Sequence, residues 1–161
     1  MEESVLPATA HGSGFEPVSI RQFTVFLANR VGRLQALLSA LEDDTPRRIV
    51  ALAIEESGDA ALVRLICSDS EDAREALRQA GFPFNESALL AVEIPQKGNY
   101  SLTSVCSALL AAEINVHYVY PLLWRPHGPA IALYVDDNVL ASQLLLKKGF
   151  RLIGESDLRD A

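Results

Sequence analysis

The sequence predicts an α+β chain made of two ferredoxin-like βαββαβ units in tandem, each an antiparallel sheet with two helices on one face. Three observations predict it. At an offset of 68 residues the chain aligns with itself without gaps, laying Leu34 on Leu102, Leu41 on Leu109, Ile54 on Leu122, Asp69 on Asp137, Gly81 on Gly149 and Phe82 on Phe150. Upstream of Leu34 the offset is 67, with Val25 on Val92 and Leu27 on Ile94, so the second copy carries one extra residue just before Leu102. Within each copy the hydrophobic period switches between that of a strand and that of a helix in the order β-α-β-β-α-β.

Each element has its own signal. Residues 20–27 are short and β-prone, and from Leu34 the apolar positions 34, 37, 38 and 41 mark one face of a helix. Residues 48–54 predict a strand. Ser57-Gly58-Asp59 supplies a turn, and 60–67 returns as the second arm of a hairpin. Asp69 or Ser70 caps a helix over 71–80, whose buried stripe is Ala73, Ala76, Leu77 and Ala80. Gly81 follows it, where a left-handed residue ends a helix at low cost. Phe82 and Phe84 begin the last strand of the first unit. The second unit repeats the order: strand 88–94, helix 101–113, strand 115–123, a turn at 125–129, strand 130–135, helix 137–148 and strand 150–153. The units thus span 19–86 and 87–154. Residues 1–18 are expected to form a mobile tail, and the polar residues 155–161 are expected to fray. The sheet face without helices must stay wet, find a partner or hold a ligand.

Fourteen basic against 21 acidic residues give a net charge of −7, which argues against a non-specific nucleic-acid binder and against docking on an anionic membrane. The imbalance is local: eight basic against eleven acidic residues in 19–86, but five against four in 87–154. No apolar run is long enough to span a bilayer, and Met1-Glu2-Glu3 opens no secretory signal, so a cytoplasmic location is the default expectation. Cys67 and Cys106 cannot make a disulfide framework; both read as small core residues, with Cys106 on the apolar stripe beside Val105 and Leu109.

The duplicated βαββαβ order and the loop Leu27-Ala28-Asn29-Arg30-Val31-Gly32-Arg33-Leu34 resemble a tandem ACT-domain protein. Asn29, Gly32 and Leu34 match the family's loop, while Val31 stands where the family prefers Pro. In the second unit Ile94-Pro95-Gln96 enters a longer loop, Lys97-Gly98-Asn99-Tyr100-Ser101-Leu102, whose glycine is displaced from the helix. Ala112-Glu113-Ile114-Asn115-Val116 resembles the family's approach to the second strand, with Glu113 in place of Gly; Thr45-Pro46-Arg47-Arg48 has lost that pattern. The resemblance covers residues 19–154. It implies a small-molecule effector, most often an amino acid, bound where the first loop meets a neighbouring unit. It also implies regulation of an enzyme of amino-acid metabolism carried on a separate chain, and sheet edges left open at either end favour a homodimer or association with that enzyme.

The loop chemistry is intelligible on its own. A strand-to-helix turn leaves unpaired N–H groups at the positive end of the helix dipole, which suit a carboxylate. Gly32 lets a ligand approach the backbone. Asn29 offers a donor and an acceptor, and Arg30 or Arg33 adds a charge-assisted contact. The alternative is that Gly32 merely eases the turn and Asn29 caps the helix. In the second unit Gln96, Gly98, Asn99, Tyr100 and Ser101 are the counterparts, with Ser101 equally readable as an N-cap. In the strand Asn115–Pro121, alternation puts Tyr118 and Tyr120 on one face and His117 and Val119 on the other. Tyr118 either lines a pocket or packs the sheet. His127 falls in a hairpin tip and reads as solvated.

Three histidines without a clustered partner offer no metal site, and no cofactor is expected. No GxGxxG or GxxxxGK[ST] loop is present, and no nucleophile has a base beside it, so an enzyme is not expected. RNA-recognition domains share the βαββαβ order but stack bases on aromatic strands. The matching strands here, AALVRLIC and PAIALYV, hold only Tyr134. The competing reading is an interaction module that keeps the fold without a ligand.

Overall fold

Backbone pairing realises the duplicated order with one departure at its centre. A computed structural model describes residues 17–43, 48–95, 101–124 and 127–160. The first unit contributes β1 (Ile20–Ala28), α1 (Arg33–Glu42), β2 (Ile49–Ser57), β3 (Ala60–Cys67) and α2 (Ser70–Gln79). Then comes β4 (Phe84–Glu93), followed by α3 (Leu102–Ala111), β5 (Val116–Pro121), β6 (Ala130–Val135), α4 (Asn138–Lys147), β7 (Leu152–Ile153) and α5 (Glu155–Arg159).

The punctuation works in both copies. Asp69 accepts from the amides of Glu71 and Asp72 at 3.1 Å, and Asp137 accepts from that of Leu140 at 2.9 Å. After each of these helices a glycine enters the left-handed region, Gly81 at φ 75° and Gly149 at φ 86°. The next amide then reaches back to the helix, Phe82 to Leu77 at 3.1 Å and Phe150 to Leu145 at 3.0 Å.

The departure is β4. Sequence reading expects one strand to end the first unit and another to open the second. Instead ten residues run as one strand, whose Phe84–Leu89 half pairs β1 and whose Leu90–Glu93 half pairs β6. The seven-stranded order is β2-β3-β1-β4-β6-β5, with β7 also on β4. A boundary at 86/87 therefore falls inside a strand.

The helix-free faces of the two halves turn toward each other. Ile20, Val50, Ala51, Ile66 and Leu89 pack in one cluster with Ala91, Tyr120, Leu122, Ala130, Ala132 and Ile153. Helices α1 to α4 lie outside this double layer. Leu37, Leu41 and Leu77 cover Phe23, Val25 and Leu65 on one side, and Val105, Leu109 and Leu145 cover Leu90, Val92 and Leu133 on the other. At the rim the Leu123 amide donates to the Val50 carbonyl at 2.7 Å, drawing the chain after β5 to edge strand β2. Of the three fates open to the bare face, the observed one is a partner from the same chain.

Two further expectations are corrected. Residues 155–159, read as fraying, form α5, because Leu158 is buried in the inter-sheet core. Cys106, read as buried, is exposed: the stripe of α3 that faces the core is Val105, Ala108 and Leu109, and Cys106 points the other way. Cys67 is buried as expected.

The Arg21 amide donates to Glu155 Oε1, tying α5 to the first unit. Burial raises the Glu155 pKa, against the opposing pull of that amide. A carboxyl whose folded pKa is raised stabilises the fold below its unfolded value and loses that contribution as pH rises through the folded one. Wild type is thus expected to lose melting temperature relative to Glu155→Gln on titration upward from about pH 4.5, the ordinary value for the group. Thermal melts of both proteins across that range check it.

Candidate functional site

The loop between β1 and α1 is held by the tip of the β2–β3 hairpin. The Asn29 amide donates to the Asp59 carbonyl at 2.9 Å. The Asn29 side chain donates to Glu56 Oε1 at 2.7 Å and to the Gly58 carbonyl at 3.2 Å. Asn29 therefore pins loop to hairpin and does not cap α1. The cap position belongs to Gly32, at φ 85° with no side-chain bond. Among the described residues no acceptor meets the amides of Leu34 and Gln35, and the first turn holds no acidic residue. These are the open donors that the loop chemistry requires. Arg33 lays its guanidinium over the Phe82 ring, 5.2 Å from the centroid. Asn29, Arg30, Arg33 and Leu34 come together around a hollow of about 140 Å³, floored by Leu27 and Ile54. Val31 is fully exposed.

In the second unit Gln96, Gly98, Asn99 and Tyr100 lie outside the described residues. Ser101 is an N-cap: its Oγ accepts from the Ser104 amide at 3.4 Å, and Ser104 Oγ accepts from the Ser101 amide at 3.3 Å. Ser101, Ser104, Ser107, Lys148 and Phe150 border an open cleft of about 870 Å³. Ser101 and Phe150 are the counterparts of Arg33 and Phe82. The ring that is covered by a guanidinium in the first unit is buried at the edge of this cleft in the second.

Tyr118 lies in the seam between the sheets. Its hydroxyl accepts from Gln22 Nε2 at 2.7 Å, while the Tyr120 hydroxyl donates to Gln22 Oε1 at 2.6 Å. The Arg64 guanidinium sits 4.2 Å from the centroid of the Tyr118 ring, and Tyr134 stacks on that ring at 5.0 Å. Gln22 is wholly buried, and its amide is satisfied from the opposite sheet. Burial, reinforced by Tyr118, pushes the Tyr120 phenol well above its ordinary pKa. The two tyrosines therefore lock the units together.

One constellation escapes sequence reasoning. Glu93 ends β4 with its side chain only 13% exposed. His127 Nδ1 lies 3.0 Å from one carboxylate oxygen, and Arg151 Nε lies 3.7 Å from the other. With Ile94, Pro95, Gly128 and Gly149 they line a pocket of about 350 Å³. The available signal was the offset, which lays acidic Glu93 on Phe26 at the end of matching strands. Among the described residues no group of His, Cys, Asp and Glu could hold a metal ion, and no helix is long and apolar enough to cross a membrane.

Comparison with known proteins agrees with this architecture. A solved protein from Bacteroides thetaiotaomicron, BT0572, superposes with a TM-score of 0.79 at 24% identity, over 90% of this chain and 99% of that one. The ligand-free regulatory subunit of aspartate kinase from Thermus thermophilus gives a TM-score of 0.54 at 10% identity, over 82% and 93%. A structure of aspartokinase alpha and beta subunits gives 0.50 at 14% identity, over 83% and 94%. These likenesses concern the fold. No curated protein matches the sequence. The ACT domain pair family matches residues 18–161, nearly the whole described chain, and the chain belongs to that family.

Proposed function

We propose that this chain is a regulatory protein that binds an amino acid and acts on a separate enzyme of amino-acid metabolism in the cytoplasm. The observation that carries the reading is the α1 N-terminus: a left-handed Gly32 at the cap, two open amides behind it, and Asn29, Arg30, Arg33 and Leu34 around the adjoining hollow. The open amides would receive the α-carboxylate, with Arg30 adding charge. Membership of a family of paired ACT domains supports an effector role. Two of the similar folds are described as subunits of aspartate kinase, and binding in trans to an enzyme of that kind is consistent with this.

A thermal-shift panel of the twenty amino acids tests the reading. A ligand at one hundred times its Kd is expected to add about 2.7 kcal/mol of stability. Gly32→Val is expected to abolish that gain at the first loop. No other atom comes within 4 Å of an added Cβ, but φ 85° is costly for a branched residue, and the side chain would occupy the ligand's approach. No shift with any amino acid would contradict the proposal.

The second reading, association without a ligand, is favoured by α3. Its ten residues, LTSVCSALLA, carry no charge, and Leu102, Cys106 and Leu110 are exposed along one face, Leu110 at 76%. A homodimer or an enzyme complex through this face would be broken by Leu110→Glu in size-exclusion chromatography with light scattering. That readout is independent of amino-acid binding.

A further inference from the structure

We infer that the uncharged face of α3 seats a second copy of this chain, packed antiparallel about a two-fold axis that passes by Cys106. This rests on the reading of α3 as an association surface, and it commits that surface to one occupant and one geometry. Leu102, Cys106 and Leu110 follow one another at i, i+4 and i+8, and all three are exposed, Leu102 at 48% and Leu110 at 76%. That spacing places them along one side of the helix. The stripe is symmetric about Cys106. Two such helices laid antiparallel put Leu102 of each copy on Leu110 of the other, with the two Cys106 side chains meeting between them. No residue of Leu102–Ala111 is charged, so no like charges oppose one another across the axis.

Charge at the two ends of the helix selects this arrangement. Glu113 stands just past α3 at φ 56°, a left-handed conformation that is costly for a residue with a Cβ. It is exposed at the negative end of the α3 dipole, and among the described residues no cation pairs with it. Within its own chain Glu113 is therefore unfavourable on two counts. At the other end of α3, Ser101 caps the Ser104 amide. Among the described residues no acceptor meets the amides of Leu102 and Thr103, and the first turn holds no acidic residue. The two-fold axis carries Glu113 of each copy to that positive end of the other copy's α3, where a carboxylate is stabilised. A parallel pair would instead set the two Glu113 carboxylates side by side. An interface built on one helix is small, so the dimer it makes is a reversible one.

Sedimentation velocity of the whole chain over a concentration series, with thiol cross-linking of the same samples, tests this. Wild type is expected to dimerise reversibly, and a bis-maleimide spanning about 8 Å, near the interaxial distance of packed helices, is expected to join the two copies. Cys67 is buried, so Cys106→Ser is expected to abolish the cross-link. Leu110→Glu is expected to remove the dimer and the cross-link together. Glycine suits the left-handed conformation at position 113, so Glu113→Gly is expected to fold at least as stably as wild type. It is nonetheless expected to dimerise about 3- to 30-fold more weakly, because the contact with the helix end is made twice. A dimer that Leu110→Glu breaks, but that neither cross-links through Cys106 nor responds to Glu113→Gly, would overturn the inference and leave α3 an association surface. A dimer indifferent to Leu110→Glu would overturn both. Monomers at every concentration would overturn the inference and leave a separate enzyme as the occupant of this face.

Discussion

Cutting the chain between Glu86 and Ser87 is expected to leave two halves that do not fold alone. The cut severs β4, so Ile20 loses its partner Leu89, and Arg21 and Gln22 lose Ala88 and Ser87. Each half would also expose its share of the inter-sheet core: Ile20, Val50, Ala51 and Ile66 from the first, and Ala91, Tyr120, Leu122, Ala132 and Ile153 from the second. An apolar sheet face of that extent has no stable exposed state in a small domain, where burial is already marginal. Segments 17–86 and 87–160, made separately, should show no cooperative melting by circular dichroism. A cooperative transition in either one at the temperature of the whole chain would mean that the units are independent.

The second large effect concerns Gln22. Tyr120→Phe leaves Gln22 Oε1 buried without a donor, and Gln22→Leu leaves the Tyr120 hydroxyl buried without an acceptor. Each is expected to cost about 1–3 kcal/mol. The double variant Gln22→Leu/Tyr120→Phe removes both polar groups from a buried seam, so its cost should fall short of the sum by about 0.5–3 kcal/mol. Urea unfolding of the four proteins measures the coupling. Strict additivity would mean that the hydrogen bonds seen between β1 and β5 contribute nothing in solution.

Much of the architecture was readable because its signals are local. Asp69, Asp137, Gly81 and Gly149 announce helix ends through their own conformational preferences, and Ser57-Gly58-Asp59 announces a hairpin. What escaped depends on distant packing. The stretch Pro83–Ala88 is polar enough to read as a break between two strands, and only its partners β1 and β6 make β4 continuous. Leu158 is one apolar residue in a polar heptad, too little for a periodic pattern, yet the inter-sheet core draws α5 in. In α3, nearly uniform in polarity, periodicity could not tell the side of Val105 from that of Cys106. In the first loop the residues Asn29 to Leu34 were identified, but the hairpin contact that occupies the Asn29 side chain comes from 27 residues away. Glu93 and Arg151 are farther apart still, and no window along the chain contains both.

Two copies of one unit share β4 and an inter-sheet core, and the proposed amino-acid effector is expected to stabilise them as a single body. Differential scanning calorimetry of the full chain, with and without a saturating amino acid that binds, tests it most directly. One transition is expected, with equal calorimetric and van't Hoff enthalpies, and the ligand should move it upward intact. Two transitions, or a ligand that shifts only part of the heat absorption, would contradict it.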